Sequence, residues 1–314
     1  MLRSLKLLVD EFIKLVIVAF GEKYDEYVPK LHSLFGSFKV PFSSATSVVY
    51  GLFMDGLKKV TSTPIPSETM PDAYKIVVPH DPFAKRVEIT EAEFQRAQTV
   101  SDLALQESRV RNLAVLAKDH PVEMALDMIE NGASNQYGVC LDGENLFSTS
   151  HSFGDATGQS NLLTGTGVTE AAIAADLRSA LDALEGFFYK SGNRNKLFNT
   201  NAKPLVVCDV SKKAIFNDLL KKETISGTTN TFRDSFELVA VKMNSANSWY
   251  VIDQDNGGVE VNAPIINPVE LPAELNNNLG QESQIMDKVL KFQVYYRAGF
   301  GYGAWWKIVK VANS

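Results

Sequence analysis

Residues 142–169 read DGENLFSTSHSFGDATGQSNLLTGTGVT and decide how the rest of the chain is interpreted. Glycine, serine, threonine and asparagine make up much of this stretch, and such residues favour turns and loops. Five bulky apolar side chains interrupt them: Leu146, Phe147, Phe153, Leu162 and Leu163. Because large apolar side chains are usually buried, the stretch predicts a long surface loop that is anchored to the protein at intervals.

The composition of the chain is that of a folded protein. It has 314 residues, of which 45% are hydrophobic and 22% charged, so two or three compact units are expected. The net charge of −6 argues against a protein whose main role is to bind phosphate backbones, because such binding needs an excess of Lys and Arg. Cys140 and Cys208 lie far apart in apolar runs, so two buried thiols and a reducing, intracellular compartment are predicted.

The first 20 residues, MLRSLKLLVDEFIKLVIVAF, superficially resemble an export signal. Asp10, Glu11 and Lys14 interrupt the apolar run, so neither export nor a membrane span is predicted. The apolar residues recur at helical spacing: Leu5, Leu8, Phe12 and Leu15. We therefore expect an amphipathic helix whose apolar face packs either on the protein's own core or on a partner.

Between this helix and residue 90 the sequence predicts extended structure. Frequent Pro and Gly residues over 21–63 indicate an extended arm. Tyr74–Val78 and Arg86–Ile89 are typical of two short strands, and the sequence between them contains Pro79 and Pro82. This pattern predicts a β-hairpin bordered by prolines.

A long helix is predicted to follow. Thr90 and Glu93 form a capping-box pattern, in which the Thr hydroxyl accepts from an early helical N–H and the Glu reaches back. The apolar spacing after them predicts one helix of about 28 residues. Pro121 is expected to kink this helix or to start a second piece that ends at Glu130.

The remaining sequence alternates between strand and helix patterns. Thr169 is expected to cap a helix that ends at Gly186, and Ser211 a helix that ends at Leu220. The predicted strands are Tyr137–Leu141, Leu205–Cys208, Phe236–Met243, Trp249–Ile252, Val289–Tyr296 and Trp305–Val311. This mixture predicts an α+β fold.

The usual catalytic patterns are missing from the sequence. It contains no Gly-Lys pair for a phosphate loop, no Gly-x-Ser-x-Gly nucleophile elbow and no His-Glu-x-x-His zinc motif. The four histidines are scattered over different predicted elements: His32, His80, His120 and His151. We therefore predict no catalytic, cofactor-binding or metal-binding residues and no cofactor.

His151 is nevertheless the best catalytic candidate. Its neighbours Ser148, Ser150, Ser152 and Asp155 could supply a nucleophile and an orienting carboxylate. A catalytic triad needs groups that converge from separate elements, whereas adjacent loop residues mostly point apart. The preferred interpretation is that His151 hydrogen-bonds the loop backbone, and a hydrolase that uses His151 is kept as an alternative.

The anchored loop also resembles a segment of the major head subunits of Mu-like bacteriophages, in which a DG-x-x-LFS-x-x-H run is followed by SN-L. The matching residues here are Asp142, Gly143, Leu146, Phe147, Ser148, His151, Ser160, Asn161 and Leu162. Further similar features are the capped helix at Thr169, the P-LVV strand at 204–207, Trp249–Tyr250 and the terminal run of aromatic residues and glycines. The resemblance is strongest over 142–250 and loose before residue 63.

This resemblance implies the HK97 capsid fold, an α+β fold with an N-terminal arm, an extended β-hairpin, a peripheral domain with a long spine helix, and an axial domain. The implied ranges are 1–63 for the arm, 64–89 for the hairpin, 90–168 for the peripheral domain with its spine helix, 169–264 for the axial domain and 265–314 for the returning peripheral strands. The order of elements derived from periodicity matches this list.

The resemblance further implies a structural function in the virion. Such subunits form hexamers and pentamers that close into an icosahedral shell around double-stranded DNA, which they contact non-specifically. Portal, scaffold and decoration proteins are implied partners, a membrane is not, and assembly would take place in the bacterial cytoplasm. A nanocompartment shell of the same fold is the main alternative, and a tail or connector component is another.

Overall fold

The computed structural model describes residues 2–26, 35–50, 74–96, 100–154, 156–188, 203–225, 228–254, 262–277 and 289–313. Within them the α-helices are α1 (Leu2–Glu26), α2 (Glu91–Arg96), α3 (Ala104–Glu130), α4 (Glu170–Gly186) and α5 (Lys213–Lys221). The strands up to residue 209 are β1 (Phe35–Lys39), β2 (Ala45–Tyr50), β3 (Tyr74–Thr90), β4 (His151–Phe153), β5 (Ala156–Gln159), β6 (Leu162–Thr164) and β7 (Leu205–Asp209). The later strands are β8 (Thr224–Ile225), β9 (Thr228–Thr229), β10 (Glu237–Val241), β11 (Ser248–Ile252), β12 (Ile265–Asn277), β13 (Val289–Gly299), β14 (Gly301–Tyr302) and β15 (Ile308–Ala312).

The larger strands form two mixed sheets. The first has the order β1-β12-β13-β3-β2, with β14 paired to β12, and only its β1–β12 pair is parallel among the described strands. The second has the order β10-β7-β11-β15-β6. The C-terminal strand β15 lies in the second sheet, where it pairs with β11 and, in parallel, with β6 from the anchored loop.

The predicted hairpin over Tyr74–Val78 and Arg86–Ile89 is wrong, because both segments belong to the single 17-residue strand β3. Its first part pairs with β2 and its second part with β13. Within the described residues each part is thus paired along one edge only. A proline can be accommodated where its missing N–H faces a free edge, so Pro79 and Pro82 need not end the strand. Residues 51–73 of the predicted arm and hairpin lie outside the described part of the chain.

The predicted long helix is also corrected. The Thr90 N–H donates to the Glu93 carboxylate at 2.7 Å, so this half of the capping box forms as expected. The helix that it begins, α2, ends at Arg96, and a 3-10 turn at Val100–Leu103 precedes α3.

Pro121 does not start a second helical piece, which was one of its two predicted effects. The helix runs without interruption from Ala104 to Glu130. A proline inside a helix costs about 3 kcal/mol, because it removes one backbone hydrogen bond and crowds the preceding turn. Buried side chains on both sides of Pro121 offset this cost: Val110, Leu113, Ala114, Ala117, Val122, Ala125, Met128 and Ile129.

The N-terminal helix packs on the protein's own core. The helix predicted from the apolar spacing is present as α1, and Phe12, Ile13, Val16 and Phe20 are buried against a cluster that includes Val110, Leu113 and Ala114 of α3. Leu15 lies on the more exposed side together with Ile17 and Val18. No helix in the described residues is both long and apolar enough to cross a membrane.

The strand predicted at Tyr137–Leu141 is wrong, and the chain forms turns there. The Cys140 N–H donates to the Glu144 carbonyl at 2.7 Å, and Gly138 has a φ of +92°, which favours glycine. These local bonds satisfy the backbone without a neighbouring strand. Cys140 and Cys208 are buried free thiols, as predicted.

Capping side chains determine where the helical segments that pack beside the second sheet begin. The Thr169 hydroxyl accepts from the Ala172 N–H at 3.3 Å, which confirms Thr169 as the cap of α4. The predicted cap at Ser211 is wrong: a 3-10 turn at Val210–Lys212 precedes α5, and the Asp209 carboxylate caps that turn by accepting from the Ser211 N–H at 2.9 Å. The same carboxylate also accepts from the Met243 N–H at 2.9 Å and so joins two segments.

We expect the substitution Phe153→Ala to destabilise the protein by about 3–5 kcal/mol, because it removes a large buried side chain and leaves a cavity. Phe153 is 1% exposed and stacks on Trp306 with 4.5 Å between ring centroids. Urea-induced unfolding measures the change. The control Val168→Ala, at a side chain that is 47% exposed, should cost less than about 0.5 kcal/mol. Equal losses in the two variants would contradict the assignment of Phe153 as an anchor.

Candidate functional site

The anchored loop is built around His151, the residue selected from the sequence as the best catalytic candidate. His151 begins β4, which pairs with β5, and it is fully buried. Its ring stacks on Trp305 with 4.2 Å between centroids and 2° between planes. The loop therefore places the imidazole against the C-terminal segment and away from solvent.

Both ring nitrogens of His151 are engaged by the protein. Nδ1 lies 2.8 Å from Oδ2 of Asp142, and Nε2 lies 3.2 Å from the Leu146 carbonyl oxygen. A carboxylate and a carbonyl are both acceptors, so each ring nitrogen is placed to donate. The predicted hydrogen bond from His151 to loop backbone is confirmed by the Leu146 contact.

Asp142 is held in its charged form by several donors. Its carboxylate also accepts from the Ser152 N–H at 2.9 Å and from the Glu144 N–H at 3.3 Å. Burial raises the pKa of the Asp142 carboxyl, but the hydrogen bonds from His151, Ser152 and Glu144 lower it by more. The pKa therefore lies below its ordinary value of 3.8.

The serines near His151 do not form a catalytic pair with it. The Ser148 hydroxyl donates to Glu144 at 2.9 Å and lies 3.2 Å from the Ser150 hydroxyl. Ser152 meets the cluster through its backbone N–H. Because both nitrogens of His151 are already donating, neither can accept a proton from a serine in this arrangement. Asp155 lies outside the described residues.

Asn161 completes the cluster and was not singled out as a structural residue by the sequence reasoning. Its Nδ2 donates to the carbonyls of Leu146 at 2.7 Å and Trp305 at 3.1 Å, and its Oδ1 accepts from the Ser148 N–H at 3.0 Å. The side chain is fully buried. The signal that could have identified it is the SN-L motif itself, in which an asparagine directly precedes two apolar anchors.

The other histidines lie in separate environments. His80 Nδ1 is 2.8 Å from Oε2 of Glu270 and its Nε2 is 2.7 Å from the Thr46 hydroxyl, within the first sheet. His120 contacts Tyr296, and His32 is outside the described residues. Among the described residues no group of three or more His, Cys, Asp or Glu side chains is arranged to hold a metal ion.

The cluster around His151 can therefore fix the loop in place. Comparison with known proteins identifies the fold of the chain. Neither a protein-family model nor a curated protein sequence matches the chain. A subunit from the procapsid of bacteriophage JBD30 matches with a TM-score of 0.51 at 12% identity over 96% of this chain and 75% of that chain. A subunit from the capsid of Cyanophage P-SCSP1u matches with a TM-score of 0.55 at 11% identity over 90% of this chain and 86% of that chain.

A third match is the virus-like particle from Pyrococcus furiosus, with a TM-score of 0.53 at 13% identity over 96% of this chain and 99% of that chain. The chain has the HK97 capsid fold. The predicted α+β class and the HK97 capsid fold are thus confirmed. At these identities the likeness establishes the fold alone, and the narrower resemblance to Mu-like head subunits stays a prediction.

We expect Asp142→Asn to destabilise the HK97 fold of this chain by about 1–3 kcal/mol at neutral pH, because it removes the carboxylate that accepts from the buried His151 ring and from the Ser152 N–H. The folded-state pKa of Asp142 is depressed, so its contribution is complete above the ordinary value of 3.8 and is lost as the pH falls through the folded-state pKa. Urea unfolding at several pH values should show this acid-dependent loss in the wild type and a smaller one in the variant.

The matched control for this prediction is Asp218→Asn. Asp218 is 53% exposed and pairs with Lys222 at the surface, so its replacement should cost less than about 1 kcal/mol. If Asp142→Asn unfolded like Asp218→Asn at every pH, the ion pair with His151 would not stabilise the loop.

Proposed function

We propose that this protein is the major capsid subunit of a tailed, double-stranded DNA bacteriophage, and that it assembles as hexamers and pentamers into an icosahedral shell. The observation that carries the proposal is the match to capsid subunits over 90% to 96% of the chain. A fold that spans nearly the whole chain leaves little sequence for an unrelated activity. On this proposal the protein is a virion component without a catalytic role.

The described geometry of His151 supports a structural role over the hydrolase alternative. A general base must accept a proton from a nucleophile that substrate can reach. His151 is fully buried, and both of its nitrogens donate to Asp142 and Leu146. The arrangement therefore suits the fixing of a loop and does not suit turnover.

The domain assignment remains part of the proposal. We assign 1–63 to the arm, 64–89 to the extended loop, 90–168 to the peripheral domain with its spine helix, 169–264 to the axial domain and 265–314 to returning peripheral strands. Helix α3 with β12 and β13 supports the peripheral assignment, and β7, β10 and β11 support the axial one, whereas β1, β2 and β3 of the first sheet come from the ranges assigned to the arm and the extended loop. Because β15 pairs with β11 and β6 pairs with β15, the second sheet also contains strands from outside 169–264.

The proposed partners follow from this role. The subunit would bind other copies of itself, together with portal, scaffold and decoration proteins, during assembly in the bacterial cytoplasm. Double-stranded DNA would be enclosed and contacted non-specifically, in keeping with the net charge of −6. No membrane partner is proposed.

A nanocompartment shell is the second candidate function. The match to the virus-like particle from Pyrococcus furiosus supports keeping it, because that shell is not named as a phage capsid and the match covers 99% of the other chain, whereas the JBD30 match covers 75%. The two candidates share the shell and differ in its contents. Nucleic acid inside shells isolated from their natural source would support the phage capsid, and protein cargo would support the nanocompartment.

We expect the purified chain, alone or with its scaffold protein, to form closed particles in negative-stain electron microscopy. Capsid subunits close into shells through repeated contacts between copies, which bury surface that a single copy leaves exposed. Size-exclusion chromatography with light scattering gives the mass of the assemblies. A monodisperse monomer or dimer that fails to assemble with its scaffold would contradict the proposal.

The β2–β3 ribbon offers an apolar face for such contacts. One face buries Val48, Ile76 and Val78 in the core. On the other, Val49 is 54% exposed and Val77 is 57% exposed. Val49 pairs with Lys75, and Ser47 pairs with Val77, so the two valines are diagonal neighbours. We propose that a neighbouring copy covers this face in the shell.

We expect the double substitution Val49→Asp and Val77→Asp to prevent shell assembly, because two charges would be buried wherever a neighbouring copy covered this face. The unassembled subunit should keep its stability to within about 1 kcal/mol, since both side chains are exposed. Replacing both valines by threonine keeps the branched shape and serves as the control, which should still assemble. Normal shells from the aspartate variant would show that this face makes no essential contact.

A further inference from the structure

Helix α3 has a weak point in its backbone at Pro121. Proline has no N–H, so the regular hydrogen bond to the Ala117 carbonyl cannot form, and helices commonly bend at such positions. The residue directly before the proline is His120. The contacts of His120 therefore influence the stability of the turn of α3 that lacks one backbone hydrogen bond.

His120 ties this weak turn to the first sheet. Its Nδ1 accepts a hydrogen bond from the hydroxyl of Tyr296 on β13. Its ring lies 4.6 Å from the ring of Phe83 on β3 and 6.3 Å from that of Phe300, measured between centroids. Phe83 in turn stacks on Tyr296 at 5.0 Å. One side chain of α3 thus joins a cluster of rings from the sheet.

We propose that His120 is a proton-operated latch: the neutral imidazole holds the middle of α3 on the first sheet through Tyr296, and protonation releases it. This inference concerns the single chain and does not depend on the proposed capsid function. It requires that the neutral ring be favoured in the closed arrangement and that the charged ring be disfavoured there.

In the neutral pair the Tyr296 hydroxyl is the donor and His120 Nδ1 is the acceptor. Burial, with Tyr24 and Glu123 nearby, raises the pKa of Tyr296 above its ordinary value of 10.0, so the hydroxyl keeps its proton and donates. A protonated His120 would present an N–H at Nδ1 to this donor. The Tyr296 oxygen would then have to accept from Nδ1 and direct its own proton elsewhere, so the arrangement of the neutral pair would be lost.

The surroundings also disfavour the charged ring. Burial lowers the pKa of His120 below its ordinary value of 6.5, and Glu123, one turn further along α3, opposes only part of this effect. The titratable group that α1 contributes nearby is Tyr24, whose ring centroid lies 4.2 Å from the Lys118 ammonium nitrogen. The contacts from β3 and from the residue after β13 are the uncharged rings of Phe83 and Phe300.

The sign of the pH dependence follows from the lowered pKa. The folded state binds the His120 proton more weakly than the unfolded state does. The latch therefore contributes its full stability above the ordinary value of 6.5 and loses it as the pH falls through the lower folded-state pKa. Acidification should loosen the turn around Pro121 before it affects α4, whose Thr169 cap does not titrate in this range.

Hydrogen exchange of the full-length chain, followed by mass spectrometry between about pH 8 and about pH 5, tests the latch. Peptides covering 113–125 should lose protection on acidification, after correction for intrinsic exchange, by up to about tenfold for each unit of pKa lowering. Peptides covering α4 serve as the internal reference. Equal pH dependence of the two regions in the wild-type chain would overturn the proposal.

Two variants separate the latch from general acid sensitivity. His120→Asn keeps an acceptor near the position of Nδ1 but does not titrate, so its protection over 113–125 should be independent of pH. Tyr296→Phe removes the donor and should lower protection at neutral pH towards the acid level of the wild type. If His120→Asn retained the full acid-dependent loss, another group would be responsible. The wild-type comparison remains decisive if either variant folds poorly.

Discussion

The carbonyl oxygen of Leu146 accepts hydrogen bonds from both His151 and Asn161, and much of the fold depends on this contact. A loop can be buried only if its backbone groups find partners, because an unpaired buried carbonyl or N–H is costly. Here two buried side chains supply the donors, and Asn161 also binds the Trp305 carbonyl. The loop and the C-terminal segment are thereby held together from sequence positions 144 residues apart.

Packing of the second sheet follows from this arrangement. With the loop fixed, Leu146, Phe147 and Phe153 reach the same apolar core as Trp305 and Trp306. The end of the loop then supplies β6, which pairs with β15 and extends the sheet. The stacking of His151 on Trp305 places the His151 ring and its Asp142 partner within this core as a pair. Removing one member would leave an uncompensated buried charge, which costs far more than losing a surface ion pair.

The first sheet depends on a comparable contact. Glu270 on β12 faces His80 at 2.8 Å and Arg297 at 3.3 Å, so three strands meet at one buried carboxylate. Glu270 lies beside the point along β3 at which the pairing partner of that strand changes from β2 to β13. Helix α3 links the two regions, since its first half packs with α1 and its second half joins the larger core. Pro121, where one backbone hydrogen bond is missing, lies between these halves. Side-chain contacts therefore determine the local stability of the helix there.

The sequence by itself determined the features that depend on near neighbours: the apolar periodicity of α1 and α4, the Thr169 cap, the Thr90–Glu93 contact and the anchors of the loop. Together with the order of elements and the motif at 142–162, these were enough to identify the HK97 fold. Tertiary structure alone decided that β3 continues past Pro79 and Pro82, that α3 continues past Pro121, and that Asp209 caps in place of Ser211. It also decided that Tyr137–Leu141 forms turns, in which the Cys140 N–H donates to the Glu144 carbonyl. Rules based on near neighbours predict that a proline ends a helix or strand and that a hydroxyl caps a helix. The packing of distant segments can override these predictions, because it supplies free strand edges, buried faces and other hydrogen-bond acceptors.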